Sequence, residues 1–242
     1  LSKQVLPYND TSQSKKQQVE SMFDNIAPSY DFLNHFLSMG IDKIWRRKTV
    51  KSISTINPKI ILDVATGTGD LAIALLKLNP EKITGLDLSE QMLAVAKKKV
   101  TEKNLQHKIE FLKGDSEKLP FGNNKFDALT VGFGVRNFEN LEIGIGEMYR
   151  VIRKGGMVAV LEFSKPKAFP VKQLFGFYFS RMLPFIGKMI SKDKRAYTYL
   201  PESVQAFPEG DGFLNILAKA GFKSVKCRNL FFGVASIYTG VK

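Results

Sequence analysis

Imidazoles and thiols are scarce in this chain: its 242 residues include two histidines, His35 and His107, and one cysteine, Cys227. One thiol closes no intramolecular disulfide, which fits a reducing cytoplasm. So small a set also gives no Cys/His spacing for a zinc site, and no Ser-His-Asp motif stands out. No apolar run approaches the roughly 20 residues of a spanning helix. The N-terminal stretch is polar and lysine-bearing, without the apolar segment of a signal peptide. A soluble or peripheral protein is expected. Internal repeats, low-complexity tracts and domain linkers are also missing, so a single domain with insertions is the expectation. Acids are outnumbered, 23 against 36 Lys and Arg, for a net charge of +13. That balance predicts attraction to an anionic surface, either nucleic acid or membrane headgroups.

Against these absences stands Ile60-Ile61-Leu62-Asp63-Val64-Ala65-Thr66-Gly67-Thr68-Gly69-Asp70, a run of β-formers feeding a glycine turn and then a helix. It reads as the first strand and nucleotide loop of a doubly wound α/β fold. The spacing satisfies G-x-G-x-x-G/A, which suits either a nicotinamide dinucleotide or S-adenosylmethionine (SAM). Asp70 separates the two. A carboxylate at the helix N-terminus would repel a pyrophosphate. SAM has no phosphate, and its sulfonium and ammonium are cationic, so Asp63 and Asp70 bracketing the glycines suit it. The plain alternative for Asp70 is a helix cap.

Strands and helices alternate from about Lys59 to Gly156, the pattern of a parallel sheet covered on both faces. A second strand ends in Asp87, twenty positions after Gly67, the usual offset of a ribose-binding carboxylate. Ser89 is the expected N-cap of the next helix, and Met92 is either core or a packing partner of adenine. A third strand leads to Asp115, an acceptor for the adenine amino group or a turn residue. The fourth strand, Phe126 to Val131, ends in Gly132-Phe133-Gly134-Val135-Arg136-Asn137. The Asn/Asp-Pro-Pro-aromatic turn of base-nitrogen methyltransferases is absent there. Arg136 and Asn137 instead offer a cation and an amide suited to an oxygen-rich ring, the alternative being a surface salt bridge.

Two segments exceed the minimal pattern. The first, Val19 to Ile53, reads as short helices broken at Pro28 and Gly40 that cover the cofactor mouth. The second, Pro166 to Pro208, carries Phe169, Phe175, Phe177, Tyr178, Phe179 and Phe185. Around them lie Lys165, Lys167, Lys172, Arg181, Lys188, Lys192, Lys194 and Arg195, against one acid, Asp193. Aromatics interleaved with cations describe a segment lying on an anionic bilayer. A helix pair packed on the sheet and a single-stranded RNA surface are the alternatives. The expected division is a helical cover over 1–56, a nucleotide-binding core over 57–165, an insertion over 166–208, and a C-terminal helix and strands completing the sheet over 209–242.

From about Val19 to Lys242 the chain resembles the ubiquinone/menaquinone biosynthesis C-methyltransferase family. The marks are Tyr30-Asp31-Phe32-Leu33-Asn34 with Ser38-Met39-Gly40 and Trp45-Arg46, the glycine loop, Phe133-Gly134-Val135-Arg136-Asn137, Arg150 to Gly156, Leu161 to Pro166, and Tyr197-Thr198-Tyr199-Leu200-Pro201. The resemblance implies a Rossmann-like class I SAM-dependent methyltransferase with a helical insertion after the fifth strand. SAM is then the methyl donor, held by Thr68, Asp87, Asp115 and Ser116, with Gly132 lining the pocket beside Gly67, Gly69, Asp63 and Met92. The acceptor is a reduced polyprenyl quinone, demethylmenaquinol ahead of a benzoquinol, with Tyr30, Asn34, Tyr197 and Tyr199 on the substrate side. Its ring carbon is nucleophilic only when a neighbouring oxygen is ionised or strongly polarised. Arg136 and Asn137 suit that task, and water, Asp31 or His35 suits removal of the ring proton. The expected location is the cytoplasm, at the inner face of the membrane, with an anionic surface as partner and no nucleic acid; a homodimer stays open. Other readings are an O- or N-methyltransferase, an RNA methyltransferase, or a non-catalytic membrane protein on the same fold.

Overall fold

The structure is a computed structural model that describes residues 4–8, 10–182 and 195–242. Helix α1 (Lys15–Leu37) and helix α2 (Ile41–Ser52) precede strand β1 (Ile60–Val64). Then follow α3 (Asp70–Leu75), β2 (Lys82–Asp87), α4 (Glu90–Glu102), β3 (Ile109–Lys113) and β4 (Phe126–Gly132). Helix α5 (Leu141–Val151) runs into β5 (Ile152–Phe163), and α6 (Val171–Phe177) continues into a π-helical turn over Tyr178–Met182. Helices α7 (Ala196–Ala206) and α8 (Asp211–Lys219) lead to β6 (Lys223–Leu230) and β7 (Ala235–Val241).

The seven strands form one sheet in the order β3-β2-β1-β4-β5-β7-β6. Strands β1 to β5 run parallel, and β7 and β6 close the sheet antiparallel. Residues of β1 and β4 are buried on both faces, as expected of central parallel strands under helices. Alternation sends Leu62, Val64, Leu129 and Val131 towards Met148, Phe213 and Leu217, while Ile61 and Ala128 face Val50, Leu71 and Leu75. The strand order reverses between β1 and β4, so a crevice opens at their carboxyl ends, where doubly wound folds hold ligands.

Helix α1 starts in a capping box of Ser14 and Gln17 and runs unbroken through Pro28, against the expected break. Proline removes one i→i−4 hydrogen bond and crowds the preceding turn. Burial of Met22, Ile26, Ala27 and Leu33 on Met92 and Tyr199 offsets that cost. Gly40, at φ 74°, does separate α1 from α2. Ser89 caps α4, accepting from the Met92 amide at 3.1 Å. The expected contributions of Phe185, Lys188, Lys192 and Lys194 lie outside the described residues. Among the described residues no helix is long and apolar enough to cross a membrane.

Candidate active site

The crevice holds a first cavity of about 700 Å³, solvent included. Of the residues expected to hold SAM, Gly67, Asp87, Met92, Asp115, Ser116 and Gly132 line it, and Lys16, Val19, Phe23 and Tyr30 of α1 cover it. At the end of β2, Asp87 accepts from the Gly67 amide at 2.7 Å and the Ser89 amide at 2.9 Å. Burial pushes its carboxyl up to about 6, against the pull of those amides. Asp115 accepts from the Glu117 amide and from the Lys16 ammonium, which reaches across from α1. Met92 is 1% exposed and serves both readings, packing in the core with Met22 and Ile26 and bordering the cavity.

Asp63, Thr68, Gly69 and Asp70 do not line this cavity. Asp63 is buried beneath the loop, accepting from the Thr66 and Thr130 hydroxyls at 2.6 Å each, and burial pushes its carboxyl up to about 6. It ties the glycine loop to β4. Gly69 has φ 79°, and a Cβ there would stand 2.9 Å from Phe111, so packing against β3 demands glycine at this point. Thr68 donates to Asp31, and Lys99 of α4 bridges Asp31 and Asp70. Burial acts to raise the Asp70 carboxyl, but Arg46 and Lys99 outweigh it and hold the group below its ordinary value. The two acids expected at the cofactor and at the proton transfer, Asp70 and Asp31, are therefore members of an ion-pair network joining α1, α2, α3 and α4. Spacing placed Asp70 at the loop and the family resemblance brought in Asp31 from α1; Lys99 pairs with both and Arg46 with Asp70.

A second cavity, also about 700 Å³, shares Phe23, Tyr30 and Phe133 with the first. Tyr30, Asn34 and Ser38 present successive turns of one face of α1 to it. Asp42, Trp45 and Arg46 enter from α2, Arg136 and Phe163 from the β4 and β5 ends, and Tyr199 from α7. Asn34 hydrogen-bonds Tyr30, whose hydroxyl burial pushes up. The Arg136 side chain is 7% exposed; its Nη1 donates to the Phe133 carbonyl and, at 2.9 Å, to Glu162 Oε1. The guanidinium stands 5.6 Å from the Phe163 ring centre. Glu162 is fully buried behind it, and burial raises its carboxyl while Arg136 opposes that rise.

Among the described residues, three buried polar atoms around this second cavity have no hydrogen-bond partner: Trp45 Nε1, Arg136 Nε and the Tyr199 hydroxyl. Each such group costs on the order of 1–3 kcal/mol, so three around one cavity fit a site built for a ligand's oxygens. Burial pushes the Tyr199 hydroxyl up to about 12, which keeps it a donor. Asn137 differs from its neighbour. Successive residues of the 3₁₀ turn Val135–Asn137 point about 120° apart. Arg136 accordingly lines the second cavity and Asn137 the first. The expected pairing of both on the acceptor is thus corrected. Asn137 Oδ1, buried and unpartnered, adds an acceptor to the carboxylates of Asp87 and Asp115, a set that fits the ammonium, ribose and adenine amine of SAM.

Tyr30, Asn34 and Tyr199 are brought together as expected, while Tyr197 lies outside the described side chains. Sequence reasoning left Glu162, Trp45, Phe163 and Asp42 without roles. The signal for Glu162 was its place as a lone acid between Leu161 and Phe163.

An open, mostly parallel sheet with a carboxylate-rimmed cleft at its reversal point is the architecture of class I SAM-dependent methyltransferases. A SAM-dependent methyltransferase of Thermotoga maritima superposes with a TM-score of 0.61 at 19% identity, over 92% of this chain and 99% of that one. One from Aquifex aeolicus gives 0.51 at 20% identity, over 75% and 81%. The chain belongs to the ubiE/COQ5 methyltransferase family, whose profile it matches over residues 11–242. It is 48% identical to the demethylmenaquinone methyltransferase of Bacteroides fragilis over 239 residues, 98% of this chain and 97% of that protein. Identity is 44% to the ubiquinone/menaquinone biosynthesis C-methyltransferase UbiE of Geotalea daltonii, over 94% and 97%. It is 46% to the demethylmenaquinone methyltransferase of Thermus thermophilus, over 90% and 99%.

Proposed function

We propose that the chain methylates a ring carbon of a reduced polyprenyl quinone, demethylmenaquinol, with SAM as donor. The observation that carries this reading is the aromatic second cavity, where Arg136 Nε, Trp45 Nε1 and the Tyr199 hydroxyl wait beside the cofactor cleft. SAM supplies an electrophilic methyl on a positive sulfur. Asp87 holds the ribose, Asp115 and Ser116 the adenine edge, and Asn137 the ammonium. Arg136, fixed by Glu162, stabilises the ionised quinol oxygen that makes its neighbouring carbon nucleophilic. The rings of Phe23, Tyr30 and Phe133 border both clefts and align acceptor and methyl, so orientation supplies much of the rate. Relatives bearing the demethylmenaquinone methyltransferase name support the naphthoquinol over the benzoquinol.

The acceptor's prenyl tail belongs to a bilayer, and the surface of the chain suits one. Phe169 and Phe177 are 81% and 58% exposed around α6, beside Lys167, Lys172 and Arg181, and Phe32, Phe36 and Met39 stand exposed at the end of α1. This combination supports work at an anionic membrane surface, at the inner face of the cell membrane.

The test is incubation of purified protein with SAM and short-tailed demethylmenaquinol or the matching benzoquinol, with products resolved by mass spectrometry. Transfer to the naphthoquinol ring carbon is expected. Transfer to a phenolic oxygen, or to neither acceptor, overturns the assignment.

A further inference from the structure

Methylation leaves the attacked ring carbon tetrahedral, bearing both its new methyl and its original hydrogen. The ring regains aromaticity only when that proton departs, so the acceptor site needs a base. This inference rests on the quinol reading above. Arg136 cannot serve, because a guanidinium has no free acceptor. Tyr199 is held protonated, and Glu162 lies behind the guanidinium, outside the cavity lining. Asp31 is tied up with Thr68 and Lys99 and lines neither cavity.

Among the described residues lining the second cavity, Asp42 is the single carboxylate. It sits in the first turn of α2 and is 3% exposed. Its Oδ1 accepts from the Ser38 hydroxyl at 2.7 Å, and Ser38 lines the same cavity. Its Oδ2 lies 2.7 Å from His35 Nδ1 and also receives Arg46. The His35 side chain is 31% exposed. Ser38, Asp42 and His35 thus form a hydrogen-bonded chain from the cavity wall to a part-exposed imidazole, whose Nε2 lies 3.5 Å from the Asp70 carboxylate.

We propose that Asp42 takes the ring proton after methyl transfer and that His35 is its route to water. The carbon–methyl bond forms as the sulfur–methyl bond breaks, with sulfur keeping the electron pair. The carbon–hydrogen pair then returns to the ring, and the proton goes to the Asp42 carboxylate, which passes it to Nδ1 of a neutral His35 carrying its own proton on Nε2. Burial acts to raise the Asp42 carboxyl, but the Ser38 hydroxyl and the Arg46 guanidinium pull it below its ordinary value, so the group rests ionised. Such a carboxylate is a weak base, and a weak base suffices because rearomatisation drives the proton off. Arg46 holds Oδ2 and the Ser38 hydroxyl takes one lone pair of Oδ1, leaving the other open.

The experiment follows aromatic product in single turnovers with a short-tailed demethylmenaquinol carrying hydrogen or deuterium at the ring position to be methylated. In the parent, methyl transfer is expected to limit the rate, so the two isotopes should give nearly equal rates. Asp42→Asn is expected to slow product formation by about 100-fold, the scale of a lost acid–base group, and to make the deuterated ring clearly slower. His35→Gln is expected to show the same isotope dependence with a smaller loss, which keeps the test open should Asp42→Asn fold poorly. A merely structural role would change KM or the melting temperature and leave the isotope ratio at the parent's value. A parent that methylates while both variants keep the parent's isotope ratio overturns this inference alone. A parent that leaves the ring carbon unmethylated overturns the acceptor reading, and the inference with it.

Discussion

Asp87→Asn sets cofactor binding against stability. Asp87 stands at the edge of the first cavity with its carboxyl raised from 3.8 to about 6 by burial. A carboxyl raised in the folded state binds a proton that the unfolded chain has already released between these values. Stability therefore falls as pH climbs from about 4 to about 6, and the full cost, at most about 3 kcal/mol, persists above that window. Contact with water in the cavity reduces it. Asparagine removes the charge but can accept from only one of the Gly67 and Ser89 amides, returning about 1 kcal/mol. The net expectation at pH 7 is a variant more stable by about 1–2 kcal/mol, or several degrees in Tm for a chain of this size. Its advantage should vanish near pH 4. Lost ribose hydrogen bonds should at the same time weaken SAM by about 1–3 kcal/mol. Urea titrations between pH 4 and 7, without SAM, measure the first effect, and calorimetry measures the second. A stability difference independent of pH would refute the argument that a strained carboxylate is held at the cofactor's edge, and unchanged SAM affinity would remove Asp87 from the site.

Arg136→Lys should lower turnover by about 100-fold, because a point ammonium does not reproduce a fixed planar cation facing an oxyanion, while calorimetric SAM affinity stays near the parent value; the reverse pattern would assign Arg136 to the cofactor. Glu162→Gln leaves that guanidinium without its buried counter-charge, so denaturant unfolding should show a loss of about 3 kcal/mol and turnover should fall with it. For the membrane reading, Phe169→Ser with Phe177→Ser and Lys172→Gln should weaken sedimentation with anionic vesicles, each surface cation contributing about 1 kcal/mol. Long-tailed quinols should then react more slowly while short-tailed ones do not; equal sedimentation with neutral vesicles would sink the idea.

What could be read from the sequence was what periodicity and glycine enforce locally. The runs ending in Asp63, Asp87 and Gly132 are strands, because continuous apolar burial has no other home in a parallel sheet, and the ends of these strands meet at one crevice. Asp87 and Asp115 were read from that pattern and Ser116 and Gly132 from the family resemblance, and all four line the first cavity. The failures concern partners. Asp70 stands at the glycine loop and Asp31 beside it on α1, and Lys99, sixty-eight positions from Asp31, pairs with both; no spacing rule brings a helix α4 lysine to them. Asp63 was placed correctly along the chain and wrongly in depth, since two threonine hydroxyls from different strand ends absorb it. Pro28 misled because tertiary burial outweighs a local penalty that a lone peptide would feel. Asn137 was assigned by its adjacency to Arg136, and the tight turn between them points the two side chains into different rooms.

The wall common to the two cavities gives a physical reason to expect the ligands' affinities to be interdependent. Phe23, Tyr30 and Phe133 face both spaces, and Phe23 and Tyr30 ride on one 23-residue helix. A ligand that settles these rings on one side leaves less disorder to remove for the ligand on the other. Linkage makes that gain reciprocal, so the factor by which a quinol tightens SAM equals the factor by which SAM tightens the quinol. The donor's apparent affinity is then expected to depend on how much unmethylated acceptor is within reach rather than to hold a single value.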